Sequence, residues 1–231
     1  MTSITDHLAT VRARVRESLE RAGRASDDVT IVAVSKQQST ASIQDAYRAG
    51  QRDFGESYVQ EAEPKLDSLE SLDVTWHFIG RIQANKTRAI AARFQWVHTI
   101  DRDKAARRLD AQRPTFAPPL NVLIQVNQSA EGQKAGVAPD DVRALAAVVR
   151  ELPRLRLRGL MTIPPAGLTP QATLARFLEL AQLQASLAAE GYGVDTLSMG
   201  MSADFELALE AGSNCVRIGT AIFGGRAGSP R

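Results

Sequence analysis

Apolar residues gather along this chain in short dense runs, separated by longer stretches in which they recur every three or four positions. The densest run, 29–36, reads Val-Thr-Ile-Val-Ala-Val-Ser-Lys and is β-branched and almost wholly apolar until Lys36. A run without polar alternation predicts a strand buried on both faces, as in a parallel sheet. Similar runs at 53–56, 74–79, 95–100, 120–126, 155–161, 196–199 and 215–218 predict seven more strands. Helical spacing fills the intervals near 41–49, from Tyr58 onward, 84–92, 102–112, 139–152, 170–191 and 203–211. Pro64 is expected to kink or interrupt the second of these helices.

Ahead of the first strand, residues 3–22 predict one amphipathic helix. Ser3 and Asp6 have capping-box spacing, Ile4, Leu8, Val11, Val15 and Leu19 form one stripe, and Gly23 marks the stop. Glu17 and Arg21 are spaced for an ion pair, and arginines 12, 14 and 16 are expected on a solvated face. No hairpin signal of the Asn-Gly type breaks the alternation, and no linker divides the chain. A doubly wound sheet would accommodate the pattern, but eight strand–helix repeats favour a single (β/α)8 TIM barrel with an additional N-terminal helix on its bottom or flank. One domain is expected over residues 1–231.

Composition narrows the picture mainly by exclusion. The 231 residues are 44% apolar and 23% charged, with 28 basic against 26 acidic residues, too balanced for a nucleic-acid surface. The single Cys215 excludes an intramolecular disulfide, and three histidines beside it are a poor inventory for a metal. No run approaches the ~18 apolar residues of a membrane span, and no signal-peptide core opens the chain, so a cytoplasmic protein is expected.

Barrel enzymes and binding proteins place their chemistry at the C-terminal ends of the strands. By that rule the candidates are 36, 56–57, 79–80, 126–127, 161–162, 199–202 and 218–220. Lys36, at the mouth of a buried strand, is partly desolvated, which favours a neutral amine able to condense with an aldehyde. Taken alone it reads as the ordinary end of a strand, and the rest of the chain reverses that reading. Gly219 and Thr220, followed by a short helix-like turn, present backbone N–H groups and a hydroxyl to an anion, and Ser202 adds a hydroxyl from the neighbouring loop. An aldehyde-reactive lysine opposite a phosphate cup describes a pyridoxal 5'-phosphate site. Arg217, two residues before Gly219, is placed to reach the ring nitrogen of a cofactor anchored there. No catalytic residue and no metal ligand is assigned. His77 and His98 are expected as satisfied core histidines, Trp76 and Phe78 as packing residues, Cys215 as buried and inert. Lys134, in the loop after the fifth strand, is either a solvated lysine or a second amine near the cofactor.

The chain resembles the pyridoxal phosphate homeostasis proteins, relatives of the N-terminal barrel of alanine racemase. The resemblance rests on AVSK (33–36), FGESYVQE (54–61), WHFIG (76–80), QANK (83–86), HTID (98–101), LNVLIQVN (120–127), LRGLM (157–161), LSMGMSADFELALEAGS (197–213) and VRIGTAIFG (216–224). It implies a cofactor carried as a Schiff base on Lys36, phosphate contacts at Ser202, Gly219 and Thr220, and Arg217 beside the pyridine nitrogen. Where the family usually has FGEN, this chain has Ser57. The implied role is intracellular cofactor homeostasis without robust turnover. The expected partners are the cofactor and amino acids, with neither nucleic acid nor membrane, and the chain is expected as a monomer or weak dimer. An amino-acid racemase is the first rival. Alanine racemases draw a second-face tyrosine from a C-terminal β domain, which is expected to be absent here because the chain stops at Arg231. A cofactor-free Schiff-base aldolase acting on a sugar phosphate is the second rival, and it would be colourless.

Overall fold

The computed structural model describes residues 3–25, 29–129 and 135–225. Eight parallel strands close into a barrel in chain order: β1 (Thr30–Val34), β2 (Asp53–Glu56), β3 (Thr75–Phe78), β4 (Trp96–Ile100), β5 (Leu120–Val126), β6 (Leu155–Thr162), β7 (Thr196–Ser198) and β8 (Cys215–Ile218). The expected (β/α)8 barrel is the fold. β8 returns to pair with β1 from Thr30↔Cys215 to Ala33↔Ile218, so the first and last strands form the seam.

The helices are α1 (Ile4–Arg21), α2 (Thr40–Arg48), α3 (Val59–Ser68), α4 (Thr87–Arg93), α5 (Asp103–Gln112), α6 (Val142–Arg150, led by a 3-10 turn at Pro139–Asp141), α7 (Pro170–Ala189), α8 (Phe205–Glu210) and α9 (Thr220–Phe223). Their apolar faces meet the outward side chains of the strands. Trp76 and Phe78 of β3, for example, are buried there, and Phe78 meets Phe94 edge to face with centroids 5.3 Å apart.

The N-terminal helix has the expected capping box: Ser3 Oγ accepts the Asp6 N–H at 3.2 Å, and the Ser3 N–H donates to Asp6 Oδ2 at 2.9 Å. α1 lies on the flank, against α2, α8 and α9. Its arginines are not the uniformly solvated face the sequence suggests. Arg12 donates to the Ala49 carbonyl at 2.7 Å, while Arg14 pairs with Glu206 at 3.1 Å and covers the Phe205 ring; Arg16 is exposed. Arg21 donates to Ser18 Oγ at 3.0 Å rather than pairing with Glu17. Pro64 does not interrupt α3. Pro64 and Gln60, whose carbonyl loses its i+4 partner, are both exposed, so solvent can take that carbonyl and the helix continues. Among the described residues, no helix is long and apolar enough to cross a membrane and no His/Cys/Asp/Glu group could hold a metal.

Candidate functional site

Lys36 lies just past the C-terminal end of β1, half-buried at the mouth of the barrel. Its backbone is held on both sides. Ser35 N–H donates to the Gly55 carbonyl at 2.9 Å, the Ser35 carbonyl accepts from Lys65 Nζ at 2.9 Å, and the Gln37 N–H donates to Glu61 Oε1. Gln37 turns the chain with φ 62°, the one positive value at a non-glycine residue among the described residues.

Behind this turn stands a buried ionic cluster that sequence reasoning missed. Lys65 of α3 also reaches Glu56 Oε1 at 2.9 Å and Glu61 Oε1 at 2.6 Å, and Ser35 Oγ donates to Glu56 Oε1 at 2.7 Å. Glu56 is fully buried, and its Oε2 has no hydrogen-bond partner among the described residues. Burial raises its carboxyl above the usual range, against the opposing pull of Lys65 and Ser35. The Glu61/Lys65 spacing was a readable helical pair, but only the fold brings Glu56 and Ser35 to it.

The residues predicted to bind an anion lie across the seam from Lys36. Gly219 follows β8 directly and is packed on β1, where a Cβ on it would sit 3.4 Å from Val34 Cβ. Thr220, exposed, opens α9. Ser202 comes from the loop after β7, and its Oγ faces the Ala221 N–H at 3.4 Å, which joins the two loops. That loop is set tightly: Gly200 has φ 96°, a Cβ there would lie 2.6 Å from Ala208 Cβ, and its carbonyl accepts the Arg217 N–H at 3.0 Å. Asp204 Oδ1 takes the Met201 N–H at 2.6 Å.

Arg217 points into the barrel lumen beneath this mouth and is 4% exposed. It donates through Nη1 to Ser198 Oγ at 2.6 Å and through Nη2 to the Thr162 carbonyl at 2.9 Å. Burial lowers its pKa from the ordinary guanidinium value. Lys36, Ser202, Gly219 and Thr220 therefore meet at one mouth, with Arg217 below. Ser57 follows β2 at the same end of the barrel and lines a cavity of about 70 Å³ with Tyr58, Arg81 and Lys86. His77 and His98 are buried, hydrogen-bonded lumen residues. Cys215 is buried, and its thiol is pushed up to about 11 by desolvation. Lys134 lies outside the described residues. A cavity of about 300 Å³ opens at the opposite, N-terminal mouth, lined by Asp53, Trp96, Arg158 and Asp195 among others. Thr30 and Thr196 contribute hydroxyls to it but no lysine lines it, and barrels place their chemistry at the C-terminal mouth.

Residues 7–227 match the family described as alanine racemase, N-terminal domain. The pyridoxal phosphate homeostasis protein of Pseudomonas aeruginosa is 52% identical over 226 residues, covering 98% of this chain and 97% of that protein. This chain belongs to that family. The homologous protein of Escherichia coli K12 is 49% identical over 234 residues, again covering 98% of each chain. Among solved structures, PipY of Synechococcus elongatus with PLP bound is 37% identical with a TM-score of 0.85, over 96% of this chain and 100% of that one. D-threonine aldolase from Filomicrobium marinum, 20% identical with a TM-score of 0.70 over 91% of this chain and 59% of that one, shares the barrel fold with this chain.

Proposed function

We propose that this chain holds pyridoxal 5'-phosphate as a Schiff base on Lys36 and serves the intracellular supply of that cofactor, without robust turnover of its own. The observation that carries the reading is the meeting of Lys36 with Gly219 and Thr220 across the β1–β8 seam, with a buried guanidinium beneath them. The donor set fits the cofactor: one primary amine, the Ser202 and Thr220 hydroxyls and the first turn of α9 for a phosphate, and Arg217 for the ring nitrogen. The PLP-bound structure of a relative supports the choice of cofactor. When bound, the cofactor supplies an aldehyde that an amine attacks with loss of water.

Each residue then has a definite task. The clamp on Ser35 and Gln37 fixes where the Lys36 stem leaves the backbone. Ser202 and Thr220 hold the phosphate end. Arg217, a donor-only group, favours an unprotonated ring nitrogen and so weakens the ring as a sink for carbanion charge, which argues against racemase-like turnover. The whole barrel acts in this reading as one cytoplasmic cofactor-binding unit, monomeric or weakly dimeric, with amino acids as its other small-molecule partners.

Borohydride reduction of the holoprotein followed by peptide mapping tests the assignment. The label is expected at Lys36, and Lys36→Ala is expected to lose the visible absorption of the bound cofactor while keeping its melting temperature. A label mainly on Lys86 or Lys134 would overturn it.

A further inference from the structure

The lumen of a TIM barrel is ordinarily filled by branched apolar side chains. Here a column of polar groups crosses it from one mouth to the other. Asp53 Oδ1 meets His77 Nε2 at 3.0 Å, His77 Nδ1 meets His98 Nε2 at 2.9 Å, His98 Nδ1 meets Ser198 Oγ at 2.8 Å, and Ser198 Oγ meets Arg217 Nη1 at 2.6 Å. β4 and β7 are not neighbours in the sheet, so the His98–Ser198 bond spans the lumen.

The proton positions in this column follow from its foot. A carboxylate only accepts, so His77 donates its Nε2–H to Asp53 and, being neutral, accepts at Nδ1 from His98 Nε2–H. The neutral His98 then accepts at Nδ1 from the Ser198 O–H, and Ser198 Oγ accepts in turn from Arg217. All four bonds point the same way, from a cation at the upper end to an anion at the lower. Burial holds both imidazoles below their ordinary range and hence neutral, His98 the more so because His77 and Arg217 also face it. Such a chain is fully satisfied only in this one arrangement, and a satisfied buried network is rigid.

We propose that Ser198, His98, His77 and Asp53 are positioning residues for Arg217: the column fixes the plane and height of the guanidinium beneath the cofactor mouth, and its anchor is the half-exposed Asp53 at the opposite face of the barrel. The proposal rests on the reading of Arg217 as the partner of the pyridine nitrogen.

Nitrogen NMR of the cofactor-free protein reads the column directly. Both rings are expected as neutral Nε2–H tautomers at pH 7, and a proton on His98 Nδ1 would overturn the stated direction. Cofactor titration followed by visible absorption reads its consequence. Ser198→Ala breaks the top link and Asp53→Ala the bottom one, and each is expected to weaken binding by about 3- to 10-fold, within the lower part of the range of coupling between residues in one network. Asp53→Asn keeps an acceptor for His77 and is expected to restore wild-type affinity. Neither substitution is expected to matter once Arg217 is replaced in Arg217→Met. Asp53 lies at the rim, with its side chain 31% exposed, so Asp53→Ala is expected to fold even if a lumen variant does not. If Arg217→Met leaves affinity and absorption maximum unchanged, the reading of Arg217 itself fails. If Arg217→Met changes both while folded Asp53→Ala and Ser198→Ala do not, or if their effects persist in the Arg217→Met background, the column does not act through Arg217 and the proposal falls.

Discussion

Lys65→Met tests the energetics of the cluster behind Lys36. The substitution keeps the volume of the side chain and removes three hydrogen bonds, to the Ser35 carbonyl, Glu56 and Glu61. Breaking a buried ion pair by deleting one partner costs about 3–5 kcal/mol if the remaining charge stays. Glu56 has a cheaper escape, since its carboxyl is already raised and the variant also loses the lysine that opposed the shift. Taking up a proton at pH 7 against the ordinary glutamate value of 4.5 costs about 3.4 kcal/mol, at about 1.4 kcal/mol per pH unit. The same proton costs only about 0.7 kcal/mol at pH 5. The folded variant binds more protons than its unfolded chain, so its stability is highest below about pH 4.5 and falls as pH rises toward the raised folded value. Urea denaturation is therefore expected to show a loss of about 3 kcal/mol at pH 7 that shrinks to about 1 kcal/mol at pH 5. At 2–4 °C per kcal/mol, the melting temperature should drop by about 6–12 °C at pH 7. Adding Glu56→Gln should remove the pH dependence and recover most of the loss. A deficit below about 1 kcal/mol at pH 7, or one identical at both pH values, would refute the picture of a dry, charged cluster.

Three further outcomes are expected. Ser202→Ala should weaken binding of pyridoxal phosphate by about 1–3 kcal/mol and leave unphosphorylated pyridoxal nearly unaffected, as read by absorption titration of both. Gly200→Ala should destabilise by about 2 kcal/mol or more in denaturant melts, because its φ of 96° disfavours a side chain and a Cβ would meet Ala208 Cβ at 2.6 Å. Because the buried His77 and His98 titrate below their unfolded value, stability should be complete above about pH 6.5 and fall as acid is added, and His77→Gln should flatten that limb.

The sequence made the barrel legible because strands such as β1 and β5 are local apolar runs with chemically distinct ends, while β2, Asp53-Phe54-Gly55-Glu56, is placed by its position in the alternation. Lys36, Ser202, Gly219 and Thr220 were visible for the same reason: each sits within a few residues of a strand terminus, where the fold itself dictates exposure at the mouth. Lys65 was not visible, since four residues after Glu61 on a helix it reads as an ordinary surface pair, and its burial depends on the placement of α3 over β2. The histidine column was half legible. The burial of His77 and His98 follows from their strands, but the contact of His98 with Ser198 joins residues a hundred positions apart across a lumen that no local pattern encodes. The helix continues past Pro64, an outcome that depends on the exposed face Pro64 occupies.

The seam between β1 and β8 also bears on when this protein becomes competent during its synthesis. Lys36 directly follows β1, the first of the eight strands to be made, whereas Gly219 and Thr220 follow β8, and α1 waits for α8 and α9 to cover its stripe. If Lys36 carries the cofactor as proposed, a nascent chain holds the amine long before the groups that would hold a phosphate exist. On that proposal cofactor capture becomes a readout of a closed barrel, and a polypeptide truncated before β8 should emerge without colour even with Lys36 intact.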